Sequence, residues 1–223
     1  LYYIMSLILP GLYAIGVPDL QIKLEALIAS VFGFVLGPYL GALAALLGVL
    51  VTWGMPPSSL NPYGVPFLLS PPLNALIVGL VFYKKWKWAF ALFSVLIVAF
   101  LFLPPSQPLI NYYYVSIAVL WDKVIALLLI IPTVKSSHRH LNVRYTTVLF
   151  FLICFVGNQV DNMWGTDVFA VPSVYVLFGF PTVDAVRDAF VVSPFFYPAI
   201  RFVQAILATL IAVPLIRSLK DTN

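Results

Sequence analysis

The chain has 223 residues, of which 62% are hydrophobic and only 9% charged, and its mean hydropathy is +1.04. Soluble domains carry roughly 25% charged and about 45–50% apolar residues, so this composition excludes an ordinary water-soluble domain, a basic nucleic-acid-binding protein and a coiled coil. It points to an integral membrane protein which, at 24.7 kDa, is too small to join a transport bundle to an ATPase domain.

A spanning helix needs about 20 apolar residues. Apolar runs punctuated by Pro and Gly, which mark turns and breaks, predict eight segments in chain order: 1–16, 24–37, 38–54, 68–83, 88–104, 117–134, 145–165 and 195–216. The expected fold is all-α, a polytopic transmembrane helix bundle of six to eight spanning segments forming a single domain over residues 1–223. The 24–54 stretch is interrupted only by Gly37-Pro38 and reads either as one long kinked helix or as a tight hairpin.

Lysine and arginine accumulate in cytoplasmic loops. Lys84, Lys85 and Lys87, then Lys135, Arg139 and Arg144, then Arg217 and Lys220 all fall on one side of the eight-segment layout and account for 8 of the 12 basic residues. That side is taken as cytoplasmic, with both termini on it, in a multi-pass protein of the cell membrane. The net charge of +4 needs no nucleic-acid partner, since topology and contact with anionic headgroups of the lipid bilayer suffice. The opposite loops, 17–23, 55–67, 105–116 and 166–194, are rich in proline and aromatics. They can form a stiff lid over a pocket, with Asn61, Tyr63 and Tyr113 as contributors, or an interfacial aromatic belt.

Ionisable groups inside a membrane segment are costly and raise a functional hypothesis. The run Asn158-Gln159-Val160-Asp161-Asn162-Met163-Trp164-Gly165 places Asn158, Asp161, Asn162 and Gly165 on one helical face by i, i+3, i+4, i+7 spacing. A carboxylate and two carboxamides beside the Trp164 indole suit a small polar ligand; the same groups could instead clamp neighbouring helices. Arg201 lies about one turn into the last segment and needs a carboxylate, a headgroup or an anionic ligand group, Asp161 or Asp188 being candidate partners. Asp122 and Lys123 are adjacent, so each is expected to find its own partner or to reach the interface by snorkelling, and Asp122 could contact a ligand. Gly33, Gly37, Gly41 and Ala45 recur every four positions, a small-residue ladder on which a partner subunit, or another helix of this chain, could dock.

No metal or cofactor site is expected: Cys154 is the single cysteine, and His138 and His140 both sit in a basic loop. No phosphate-cradling loop, no nucleophile elbow and no H-E-x-x-H motif occurs, so the chain is not expected to be an enzyme. Any active transport would draw its energy from another subunit.

The stretch Leu24-Glu25-Ala26-Leu27-Ile28-Ala29-Ser30-Val31-Phe32-Gly33-Phe34-Val35-Leu36-Gly37-Pro38-Tyr39-Leu40-Gly41-Ala42-Leu43-Ala44 resembles the apolar–G–P–x–x–G–A turn of the substrate-binding S components of energy-coupling factor (ECF) transporters. Tyr197-Pro198-Ala199-Ile200-Arg201, followed by an apolar helix, is similar to that family's closing segment, and Asp161-Asn162-Met163-Trp164-Gly165 looks like a polar patch of some members. The resemblance implies a membrane-embedded subunit that binds a vitamin or other micronutrient at its extracytoplasmic end. It also implies a transmembrane coupling protein and two ATPase subunits as partners. The family's fold has six spanning helices against the eight segments counted, and the expected extra pair lies in 84–134. The alternative reading is a structural or accessory subunit of a larger membrane complex.

Overall fold

The computed structural model describes residues 1–9, 11–14, 17–24, 27–56, 62–136, 143–192 and 194–221. Over these it is a helical bundle. The helices are α1 (Tyr2–Ile8), α2 (Leu27–Gly54), α3 (Ser70–Phe82), α4 (Trp86–Leu101), α5 (Leu109–Ser136), α6 (Val143–Phe169), α7 (Pro172–Leu177), α8 (Val183–Val192) and α9 (Phe196–Asp221). Short 3₁₀ turns at Pro62–Phe67 and Pro104–Ser106 precede α3 and α5. Among the described residues five helical stretches are long and apolar enough to cross a membrane, and α4, with 16 residues, is a shorter apolar helix. Leu40, Leu47, Val95, Ile110, Leu128 and Leu210 stand exposed on the outside of the bundle, as a lipid-facing surface requires.

Two expectations change. Segment 1–16 is not a spanning helix: α1 has 7 residues, about 10 Å of helix. Beyond it, strands β1 (Gly11–Ala14) and β2 (Val17–Lys23) pair antiparallel, Leu12 opposite Ile22. The physical reason is in the chain: Pro10-Gly11 ends the helix, and Asp19, Gln21 and Lys23 alternate with Leu20 and Ile22 at the period of a strand. Tyr3 Oη donates to the Pro56 carbonyl at 2.9 Å, so the start of the chain lies toward the far end of α2. The first segment therefore does not carry the chain across from the basic side.

The second change concerns α2. Its two arms, 27–36 and 38–54, meet at Gly37, whose backbone (φ 80, ψ 180) is open only to glycine, and Pro38 starts the second arm. A Cβ built on Gly41 would lie 2.7 Å from the Phe32 carbonyl oxygen, whereas nine residues of straight helix would separate the two by about 13 Å. The chain thus doubles back at Gly37, the hairpin alternative of the two read from the sequence. Tyr83 Oη donates to the Phe34 carbonyl at 3.1 Å and satisfies one acceptor of the broken helix end. Gly79 of α3 touches the corner, where a Cβ would stand 2.5 Å from the Pro38 backbone.

The small-residue ladder is therefore a seam within the chain. Gly33, Gly37, Gly41 and Ala45 are all buried, against the facing arm and against α3. Of the two uses open to the ladder, the fold realises packing within the chain, and these residues are not available to a docking partner. Segments 24–37 and 38–54 are the two arms of α2, so among the described residues only segment 1–16 drops out of the eight, and 84–134 supplies the pair α4 and α5.

The corner of α2 sits beside Tyr83, and Lys85 lies over the Tyr39 ring at 5.0 Å, so the hairpin tip shares the basic end with Lys84, Lys85 and Lys87. The two 3₁₀ turns, α7 and α8 gather at the opposite end, here called the outer end. There Phe169, Val174, Tyr175, Phe178 and Val186 form a small apolar cluster separate from the main core, with Phe67 packed against it.

Candidate functional site

The polar residues of the bundle divide into two groups. In the first, Ser30 of α2 donates to Asn74 Oδ1 (2.9 Å), Asn74 Nδ2 donates to Asn158 Oδ1 (3.2 Å) and Asn158 Nδ2 donates to the Cys154 carbonyl (3.0 Å). Ser30, Asn74 and Asn158 are 0% exposed. This chain ties α2, α3 and α6 together, and the close approach of α3 is possible because residue 157 is glycine. Asn158 is therefore an interhelical clamp, turned away from the partner of Asp161. Its placement on one ligand-facing surface with Asp161 is corrected: the shared face lies between two neighbouring helices, and its members point to different ones.

The second group lies in the outer half of the bundle, between α5, α6 and α9. Arg201 Nη2 contacts Asp161 Oδ1 at 2.9 Å, and Arg201 Nη1 donates to Gln204 Oε1 at 2.9 Å. The pairing of Arg201 with Asp161, one of the two carboxylates read as candidates, is thus formed. On α5, Lys123 Nζ lies 3.0 Å from Asp122 Oδ1 and donates to Asp122 Oδ2 at 3.2 Å. The two neighbours pair with each other, contrary to the expectation of separate partners or of an interfacial lysine. Asp167, near the end of α6, lies within electrostatic range of Lys123. Asp122, Lys123, Asp161, Asp167 and Arg201 are each no more than 8% exposed.

This second group is incompletely satisfied. Asp161 Oδ2, both Asp167 oxygens, both polar atoms of the Gln159 amide, Asn162 Nδ2 and Arg201 Nε are buried and have no hydrogen-bond partner among the described residues. Buried polar groups are nearly always paired, and leaving one unmade costs about 1–3 kcal/mol. The seven atoms lie on α6 and α9, and at helical spacing those of α6 face more than one side of it.

The aromatic contributors fall elsewhere. Trp164 Nε1 donates to the Pro66 carbonyl at 3.2 Å and pins the 3₁₀ turn Pro62–Phe67 to α6. Tyr113 is 61% exposed and contacts Tyr114, so it does not reach the buried group. Asn61 and the side chain of Tyr63 lie outside the described residues. Beside the charges, Trp121, Asp122, Phe155, Phe195, Pro198 and Phe202 wall a cleft of about 300 Å³ between α5, α6 and α9. Trp121 Nε1 donates to the Pro194 carbonyl at 3.1 Å and fixes the start of α9 against α5.

Arg187, a charge within the 166–194 stretch, organises the outer end. Its Nε and Nη2 donate to the carbonyls of Pro105 (3.1 Å), Pro104 (3.1 Å) and Gln107 (2.6 Å), and Nη1 contacts Asp184 at 2.6 Å. Its guanidinium carbon lies 3.3 Å from the centre of the Tyr112 ring. One side chain thus latches α8 to the Pro104–Ser106 turn and the first turn of α5. The signal in the sequence was the proline-rich turn itself, which offers carbonyls without matching N–H donors. Arg187→Ala is expected to raise backbone hydrogen exchange across 104–112 and 183–192 while leaving α2 and α3 protected. Unchanged exchange at the outer end would refute the latch.

No protein-family model, no curated protein and no solved structure matches the chain.

Proposed function

We propose that the protein is a membrane-embedded substrate-binding subunit, similar to the S components of ECF transporters, that takes up a small micronutrient or vitamin with energy from partner ATPase subunits. The observation that carries this reading is the set of buried polar atoms of Gln159, Asp161, Asn162, Asp167 and Arg201 that have no hydrogen-bond partner among the described residues. They lie in the outer half of an apolar bundle whose outer end is covered by α7, α8 and two proline-containing turns. Groups of this kind in a membrane segment are expensive unless a guest completes them. The cap held by Arg187 is the kind of cover that separates a bound solute from the outer solution.

The substrate-contacting residues in this reading are Asp161, Asn162, Gln159 and Asp167, with Arg201 holding Asp161 in place. Asn158 and Trp164 act through packing. The supposed coupling protein and ATPases would meet the bundle from its basic end, where the α2 corner and the α3–α4 turn lie.

The test is purification in mild detergent, followed by native mass spectrometry and thermal-shift measurement across water-soluble vitamins and related metabolites. A co-purifying small molecule, or a raised unfolding midpoint with one compound class, is expected. Absence of both, together with isolation in a large complex that contains no ATPase, would overturn the reading in favour of an accessory subunit.

A further inference from the structure

We infer that the cleft between α5, α6 and α9 is a binding site for one hydrocarbon chain of a bilayer lipid, which enters it from the flank of the bundle. The inference stands apart from the binding reading above and uses none of its buried polar atoms. All three helices contain candidate spans, at Leu109–Val134, Thr146–Phe169 and Phe196–Leu219. α5 and α9 each pack on α6, and the gap between them forms the cleft of about 300 Å³. Its α9 wall is one helical face: Phe195, Pro198, Ala199 and Phe202 follow one another at i, i+3, i+4 and i+7. Ala199 supplies the hollow, a small side chain between two phenyl rings. The Trp121 and Phe195 ring centres lie 5.5 Å apart, and those of Phe155 and Phe202 lie 6.4 Å apart. Aromatic pairs thus join the walls at two levels, about 10 Å apart along α9.

The lining side chains offer little to water. Trp121 Nε1 is bonded to the Pro194 carbonyl. Asp122 is buried, and both its oxygens face Lys123 Nζ, at 3.0 and 3.2 Å. The other lining side chains are apolar. A hollow of this kind stays dry and takes apolar guests. Its rim fixes which guest reaches it. Ile125, Phe195 and Phe202 are exposed, and the exposed Leu128, Val203 and Ile206 continue the same faces of α5 and α9. The cleft is therefore continuous with the lipid-facing surface of the bundle, and the phase that meets it is hydrocarbon. Lipid tails are as apolar as leucine, so leaving the bilayer contributes little by itself. Retention comes from dispersion contacts on three walls, where a tail against a flat helix face has one. A solute arriving from water would need placed polar groups to orient it, and this cleft has none free.

The experiment titrates the purified protein in detergent with a phosphatidylcholine brominated in mid-chain, a short-range quencher of indole fluorescence. Quenching is read in the wild type, Ala199→Phe and Ile125→Phe, each with and without Trp121→Phe. The difference on removing Trp121 isolates its signal from that of the other tryptophans. In the wild type that signal is expected to saturate at a single lipid per chain. Ala199→Phe fills the hollow from α9 and Ile125→Phe from α5. Both positions are exposed, so the added rings need not disturb the core. Each is expected to raise the lipid concentration for half-quenching at least about tenfold. Native mass spectrometry should show one retained phospholipid fewer in the filled variants.

Quenching of Trp121 that grows with added lipid and never saturates would reduce the cleft to ordinary annular contact and overturn the inference. So would equal quenching with and without Trp121, or lipid binding unchanged in the two filled variants. Disulfide-linked dimers of Ala199→Cys in the membrane, with no quenching of Trp121, would assign the face to a second copy of the chain instead. Displacement of the brominated lipid by a water-soluble metabolite would assign the cleft to a solute. The thermal-shift test of micronutrient binding is a separate readout, and either result can fail while the other stands.

Discussion

Asp161→Ala is expected to destabilise the bundle by about 3–5 kcal/mol, the usual consequence of stranding one member of a buried ion pair. Arg201 would keep Gln204 as a partner but lose its only carboxylate contact among the described residues, at 9% side-chain exposure. Because guanidinium stays charged at any accessible pH, the protein cannot escape by releasing a proton. The companion expectation separates pairing from ligand contact. Replacing both members, as Asp161→Asn with Arg201→Gln, should recover most of the lost stability, because no charge is then left uncompensated. Ligand affinity should stay at least about tenfold down if the free Asp161 Oδ2 also touches the substrate. Unfolding by denaturing detergent, run as a double-mutant cycle, measures the coupling; additive effects of the two single substitutions would show that the pair does not act as a unit.

The second large effect is expected at the corner of α2. Gly79→Ala places a methyl group 2.5 Å from the backbone of Pro38 and 2.9 Å from the Gly37 carbonyl carbon. Backbone cannot swing aside as a side chain can, so a loss of about 3 kcal/mol is expected, at the upper end of ordinary overpacking. Gly54→Ala at the end of the same helix meets nothing within 4 Å and should be neutral or stabilising by up to about 1 kcal/mol. If α2 were instead a straight helix, Gly79 would have no corner to touch and the two substitutions would behave alike. Equal unfolding midpoints for the two variants would therefore count against the hairpin.

These two sites show where the sequence was readable and where it was not. Composition alone defined a helical membrane bundle, because 62% hydrophobic residues in runs of helical length leave few other ways to satisfy the backbone. The basic clusters on the α3–α4 turn were equally plain. Arg201 and Asp161 could be named as partners because a charge in an apolar segment has few options. The N-terminal segment departs from the expected span for a specific reason: Pro10-Gly11 interrupts its apolar run, and a two-residue alternation follows. The ligand-facing surface failed more instructively. Asn158 and Asp161 lie three apart on α6, close enough to share a face, but that face is shared between α3 and α9, and each side chain goes to the nearer neighbour.

Asp167 and Arg187 were the residues least visible beforehand. In sequence both are charges in an outer connection. Only the fold extends α6 through residue 169 and so buries Asp167, and only the fold brings the carbonyls of Pro104, Pro105 and Gln107 to Arg187, about 80 residues away in sequence. The sequence by itself determined what is local or additive: membrane class, helical content, the side on which most basic residues lie, and the short list of buried charges. The tertiary structure decided which charge meets which, because ion pairs and unpartnered atoms depend on how neighbouring helices are rotated about their axes. Spacing along one helix says which residues share a face, and it does not say which helix that face meets.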